Sequence, residues 1–294
     1  MSASLLSSSI EEAAIDVSIN SQLLDNFFMG VYTVVYFSTL YIYGTSLLSC
    51  DIALKSLDHL STVTKQSNKS WIVIGSMSLS YLAFVIANSV QWYLTKLAFV
   101  DNGTSREAIF DTIFFGTYWG FFLNNVCMFV IFVLADSLLI WRCYNVWNRS
   151  IRSVIFPSLL LFFEIGLDLS VVIIEAVVDL NPPPNLANVI NMLTGASLFT
   201  TFATSTVAAV LISYRIYFTA KQNSALLGSR SQIRYHHILE VLLQSAAAYS
   251  LITLAYAIVS VYPSNINNIT IITAVNGYLA PFYFFIAVQS SPGQ

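Results

Sequence analysis

Residues 154–178 read VIFPSLLLFFEIGLDLSVVIIEAVV, an apolar stretch long enough to cross a lipid bilayer as one helix. A hydrocarbon core of about 30 Å needs about 20 residues of helix. Only 9% of the chain is charged and 56% is hydrophobic, whereas a soluble domain has about 25% charged residues. Six more stretches meet the required length, at residues 27–48, 71–93, 113–141, 189–214, 238–261 and 269–288. The sequence therefore predicts an all-α, polytopic membrane protein with seven transmembrane helices in one bundle.

The predicted transmembrane domain covers residues 27–288 and leaves little chain outside it. Residues 1–26 form a polar, acidic amino-terminal tail without lysine or arginine, and residues 289–294 form a short carboxyl-terminal tail. The fourth stretch is expected to end before the NPPP run at 181–184, because proline cannot continue a helix.

Basic residues divide unequally between the two sides of the predicted bundle. The loops after the first, third and fifth stretches hold three, three and four lysines or arginines, which are ten of the chain's twelve. Basic loops stay in the cytoplasm, so we predict an extracellular or lumenal amino terminus and a cytoplasmic carboxyl terminus. We expect the plasma membrane rather than an internal membrane, since no retention signal is visible at the carboxyl end.

Three carboxylates, Glu164, Asp168 and Glu175, interrupt the fourth stretch. Because they are four and eleven residues apart, they share one face of a helix. A charge at the bilayer centre costs about 2.5–3.5 kcal/mol, so this face should turn toward other helices, and at least one carboxyl should be protonated at neutral pH. The face is a candidate ligand or proton site. The alternative is a structural role, with hydrogen bonds to polar residues of other spans such as Asn88, Gln91, Asn124, Asn125, Thr200, Thr201, Thr204 and Gln244.

Another acidic residue, Asp136, is predicted near the cytoplasmic end of the third stretch, shortly before Arg142. An acid there could pair with a basic residue of a neighbouring helix, such as Arg215, and lock a resting state. Asp136, Arg142 and Arg215 are therefore candidate parts of a switch. The alternative is that Asp136 is an interfacial charge that reaches the headgroup region.

Three residues are candidates for modification. Asn102 begins an Asn-Gly-Thr sequon on a predicted outer loop and is a candidate glycosylation site, although so short a motif also arises by chance. Cys50 and Cys143 lie at the cytoplasmic ends of two stretches and could be palmitoylated. The alternative for both cysteines is a buried or unmodified thiol.

The positions of the residues that most often serve in catalysis argue against an enzyme. The three histidines, His59, His236 and His237, lie in or beside predicted cytoplasmic loops, away from any intramembrane acid or serine. We therefore predict no enzyme activity, no catalytic residue, no metal and no cofactor. Nucleic acid is not an expected partner, because no basic tract interleaved with aromatic residues occurs. The expected partners are the lipid bilayer, a small ligand and a cytoplasmic effector.

Residues 134–147, LADSLLIWRCYNVW, followed by PSLLL at 157–161, resemble a family of seven-span integral membrane proteins expanded in mushroom-forming (agaricomycete) fungi. The likeness covers most of the chain and is most specific over residues 136–147. It implies a fungal seven-helix membrane protein. It carries over no catalytic residue, because the biochemical activity of that family is not established.

Two functions are compatible with these features. The first is a receptor or sensor of an unknown ligand, which changes its helix arrangement and signals through the basic cytoplasmic loops. The second is a proton-coupled transporter that uses the acidic face of the fourth stretch. An odd number of spans and the lack of an inverted repeat favour the receptor or sensor.

Overall fold

A computed structural model describes residues 2–54, 60–178, 184–223, 247–261, 274–275, 277–283 and 286. The α-helices in chain order are α1 Ser2–Leu54, α2 Leu60–Lys96, α3 Arg106–Phe115, α4 Tyr118–Val146, α5 Ile155–Val178, α6 Pro184–Asn223 and α7 Ala247–Val261. A π-helical segment, Leu97–Asp101, follows α2, and a 3-10 turn, Ile151–Ser153, precedes α5. Residues 277–283 are also helical, and none of the described residues lies in a strand. The all-α class is confirmed.

Four helical segments of the described chain are long and apolar enough to cross a membrane: Glu11–Ile42, Val73–Asp101, Tyr118–Val146 and Asn188–Thr219. The helix α7 is apolar but shorter. These segments support an integral membrane protein. Seven spans and the orientation of the termini stay predictions. The start of the sixth predicted stretch, both ends of the seventh and the tail at 289–294 lie outside the described residues.

The helix pairs α1–α2, α4–α5 and α5–α6 each run in opposite directions. On α1 and α2, Asn26 bonds Asn88 whereas Tyr36 bonds Ser78, so the two helices are antiparallel. The helix α4 packs against α2, α5 and α6, and α5 also packs against α6. A Cβ atom at Gly120 of α4 would lie 3.0 Å from a Leu94 methyl of α2, so the missing side chain permits a close approach there. This packing places α4 at the centre of the bundle.

The exposure pattern of α5 is that of a helix in lipid. Phe162, Phe163 and Val177 are 75%, 69% and 76% exposed, whereas Glu164 is 0% exposed. A helix at the surface of a soluble protein would bury its apolar side and expose its carboxylates. Here the acidic face is turned inward, as expected where the surroundings are hydrocarbon.

The structure changes the expected start of the first predicted stretch. The helix α1 is continuous from Ser2 through the expected boundary at residue 27, and two residues of the expected tail, Ala14 and Val17, are buried. These two lie on the same helical face as buried Phe28 and Tyr32, but intervening serine, asparagine and acidic residues lower the local hydropathy. Hydropathy therefore places the start of the helix too late.

The third predicted stretch is wrong as one continuous helix from residue 113. The helix α3 ends at Phe115 and α4 begins at Tyr118, with Gly116 and Thr117 in extended conformations between them. Glycine has a low steric cost outside the helical region, so a helix can end there inside an apolar run. The fourth predicted stretch, 154–178, agrees with α5 to within one residue.

Candidate functional site

The centre of the site is a pair of carboxyl groups from two helices. Glu164 of α5 is 0% exposed, Asp136 of α4 is 1% exposed, and their side chains are in hydrogen-bonding contact. The hydroxyl of Thr201 on α6 donates a hydrogen bond to Glu164 Oε1 at 2.8 Å. Two carboxyl groups can bond each other only through a proton that one of them carries. The geometry therefore calls for one proton within the pair.

Within the described part of the chain, the second oxygen of each carboxyl has no other hydrogen-bond donor. Glu164 Oε2 and Asp136 Oδ2 are buried, and no hydroxyl, amide or backbone N–H of the described residues donates to them. A buried carboxylate without a donor is costly, and two adjacent ones are costlier still. The shared proton lowers this cost because it neutralises one group and supplies the missing donor.

The other two carboxylates of α5 form a row that leads away from the pair. Ser197 of α6 donates to Asp168, and Asn125 Nδ2 of α4 donates to Glu175 Oε2 at 2.8 Å. Glu164 and Glu175 are separated by about 16 Å along the helix axis. Burial decreases along the row, because Asp168 and Glu175 are partly exposed and Glu164 is not. The acidic row is thus most accessible at the carboxyl-terminal end of α5.

Aromatic residues of α4, α7 and the helical segment 277–283 lie near the pair. The rings of Tyr249 on α7 and Tyr283 in the helical segment 277–283 stack with centroids 6.0 Å apart. Both tyrosines lie close enough to Asp136 and Glu164 to interact with them electrostatically. The ring of Phe132, one turn before Asp136, lies 4.8 Å from that of Tyr283. Five helical segments therefore surround the pair.

Apolar side chains close the bundle beyond the pair, toward the amino-terminal end of α5. Ile140 and Cys143 of α4, Val154 before α5 and Ile212 of α6 form one buried cluster, which we call the apolar plug. Ile140 lies one turn after Asp136, so the plug begins next to the pair. The polar row and the plug thus lie on opposite sides of the two carboxyls.

The predicted placement of Asp136 is wrong. It is neither interfacial nor paired with Arg215, whose guanidinium carbon lies 5.4 Å from the centre of the Trp147 ring. The helix α4 continues to Val146, about 15 Å beyond Asp136, so this acid lies well inside the bundle. Arg142 is half-buried in the last turns of α4. The switch candidates therefore do not form one cluster, and Asp136 belongs with Glu164.

The modification candidates lie in different surroundings. Asn102 is exposed just after the π-helical segment, and its Nδ2 donates a hydrogen bond to Thr112 Oγ1 at 3.2 Å. Cys143 is fully buried in the apolar plug, which favours the alternative of a buried thiol. Cys50 lies in α1, and its side chain is outside the described part of the chain.

Sequence reasoning identified part of this site and missed the rest. Asn125 and Thr201 were among the expected partners of the α5 carboxylates, but Ser197 was not. Tyr249 and Tyr283 were not singled out, because tyrosine in an apolar stretch carries no signal of burial beside a carboxyl. Among the described residues, no group of three or more His, Cys, Asp or Glu side chains could hold a metal ion.

No known protein family, curated protein or solved structure matches this chain. The fold and the site together define an α-helical integral membrane protein with a buried carboxyl pair in its helix bundle.

Proposed function

We propose that the protein is a seven-helix membrane receptor or sensor in which one proton, shared by Asp136 and Glu164, holds α4 and α5 together. The observation that carries the proposal is the contact between these two buried carboxyls. If the proton leaves, two negative charges face each other in a low-dielectric interior. Their repulsion then favours an arrangement in which the two helices are further apart. The contact between α4 and α5 would thus have two arrangements, one closed with the proton and one open without it. Receptors switch between two arrangements of packed helices in this way.

The proposed signal passes along α4 and α6 to the end of the bundle that carries the basic residues. There the indole Nε1 of Trp147, just after α4, donates to the Leu211 carbonyl of α6 at 3.2 Å. A change at Asp136 and Thr201 would therefore move two helices that are joined again at this end. The uneven distribution of lysine and arginine supports a cytoplasmic location for this end, where an effector could bind.

The charge distribution also supports the proposed topology, with seven spans, an exterior amino terminus and a cytoplasmic carboxyl terminus, in the plasma membrane. The alternation of helix direction is compatible with that topology. Membership of the fungal seven-span family is part of the same proposal and rests on residues 134–147 and 157–161.

A proton-coupled transporter is the second candidate, and the acidic row on α5 favours it. Carboxylates at successive depths in a membrane are a feature of proton relays. A carrier must also open the site to the opposite side, and the apolar plug closes that side with four buried residues. The receptor or sensor is therefore the better supported function, with proton access from one side only.

An experiment on the protein reconstituted in proteoliposomes distinguishes the sensor from the carrier. The protein would carry spin labels at Ile155 and Thr219, exposed positions near the ends of α5 and α6, and the vesicles would enclose a pH-sensitive dye. A sensor should change the distance between the labels with pH without sustained proton flux. The variant Glu164→Gln should lose the distance change. Proton flux above that of protein-free vesicles, abolished by Glu164→Gln, would overturn the sensor and select the carrier.

A further inference from the structure

The loop between α4 and α5 combines two exposed arginines with an exposed apolar side chain. Arg149 and Arg152 are exposed, and Ile151 between them is 68% exposed. The sequence contains no acidic residue from position 137 to position 163, so no neighbour in the sequence offsets the charge of the loop. We call residues 148–152 the arginine loop.

The arginine loop has a strained but well-anchored backbone. Asn148 and Arg149 have φ angles of 52° and 64°, in the left-handed region that side chains other than glycine and asparagine avoid. The Arg149 N–H donates to the Tyr144 carbonyl at 2.9 Å, and the Ser150 N–H donates to the Trp147 carbonyl at 3.1 Å. Glycine at position 149 would relieve the strain, so the arginine has a cost in the folded state. Such strain is characteristic of functional positions.

The loop is also fixed against α6. Trp147 donates its indole N–H to Leu211, and the Arg215 guanidinium covers its ring, as described above. The ring of Tyr214, also on α6, stacks with the Trp147 ring, and the two ring centroids are 6.5 Å apart. A loop held in this way need not be ordered when it binds a ligand, which lowers the entropic cost of binding.

We propose that the arginine loop binds the phosphate-bearing head group of an anionic lipid. Arg149 and Arg152 supply two guanidinium groups, which match phosphate oxygens in charge and in hydrogen-bond geometry. Ile151 has an exposed apolar side chain at the same place, suited to the boundary between head groups and acyl chains. At the start of α5, Ile155 and Phe156 are 49% and 58% exposed and extend this apolar surface into the hydrocarbon region. This site goes beyond the proposed receptor function and does not depend on the carboxyl pair.

The test is a titration of the detergent-solubilised full chain with a short-chain phosphatidylinositol phosphate, followed by thermal unfolding or native mass spectrometry. Phosphatidylcholine of the same chain length and free inositol phosphate are the comparison ligands. The variants are Arg149→Asn, which keeps a residue that tolerates the left-handed conformation, and Arg152→Gln. Arg106→Gln is the matched control, because Arg106 is an exposed arginine that lies 3.6 Å from Glu12 at the other end of the bundle.

We expect the anionic lipid to bind more tightly than either comparison ligand. Each arginine variant should weaken binding about fivefold, and the two together about 25-fold, whereas Arg106→Gln should leave it unchanged. Equal affinity for free inositol phosphate would overturn the lipid site in favour of a simple phosphate site. Unchanged lipid binding in the double variant would also overturn it and leave the loop as a surface for a cytoplasmic protein.

Discussion

Substitutions at Glu164 distinguish two roles for this side chain, namely a hydrogen-bonding partner of Asp136 and a residue that only contributes packing volume. Glutamine keeps an oxygen that can accept from the Thr201 hydroxyl, and its NH₂ group can donate to Asp136 in place of the shared proton. We expect Glu164→Gln to fold and to lose no more than about 1 kcal/mol of unfolding free energy.

Leucine should behave differently, because it removes both interactions. Glu164→Leu leaves Asp136, itself 1% exposed, buried without its carboxyl partner. Removal of one member of a buried polar or charged pair costs about 3–5 kcal/mol. If the cost comes from the stranded acid, Asp136→Leu in the same chain should recover part of the lost stability, since the two positions then pack as apolar residues.

Reversible unfolding of the purified protein in mixed micelles or bicelles measures these differences. Ser170→Ala on the same helix is the control, because among the described residues the Ser170 hydroxyl bonds only the Gly166 carbonyl of α5 itself, at 2.7 Å. Its effect should stay within about 0.5 kcal/mol. Equal destabilisation by glutamine and leucine at position 164, or no recovery in the double variant, would refute the reasoning.

Three further predictions concern the rest of the chain. The carboxyl terminus should be on the cytoplasmic side, because that orientation places ten of the twelve basic residues inside; a protease-protection assay that finds it outside would contradict this. Asn102→Gln should remove a glycosidase-sensitive gel shift in a eukaryotic host, since Asn102 is exposed at a sequon; a persisting shift would place the glycan elsewhere. Trp147→Phe should lower the unfolding free energy by about 1 kcal/mol, because it removes the hydrogen bond to Leu211 but keeps an aromatic ring beside Arg215; an unchanged value would show that this bond adds nothing.

The parts of the fold that follow from hydropathy were predictable, and the parts that depend on packing were not. The fourth stretch was found to within one residue because its hydropathy stays high on both sides of each of its three carboxylates. The start of α1 was missed because its first turns are rich in polar residues, which lowers their hydropathy. The helix nevertheless includes them, and Ala14 and Val17 are buried there. The break at Gly116 was missed because apolar residues continue on both sides of it.

The candidate site shows the same division. Helical spacing predicted that Glu164, Asp168 and Glu175 share one face. The cost of a charge in lipid predicted that this face is turned toward the other helices. The depth of Asp136 was misjudged, because the distance to the next arginine says little about where a helix ends. Its contact with Glu164 depends on how α4 packs against α5, and a single sequence carries no signal of that packing.

Infrared difference spectroscopy tests the shared proton of Asp136 and Glu164 most directly. A protonated carboxyl gives a carbonyl stretching band that carboxylates lack, and this band shifts in deuterated water. Our account predicts such a band in the wild-type protein at neutral pH, altered or lost in Glu164→Gln and in Asp136→Asn but kept in the control Ser170→Ala. A wild-type spectrum without a protonated carboxyl, or with a band that neither variant changes, would contradict the account.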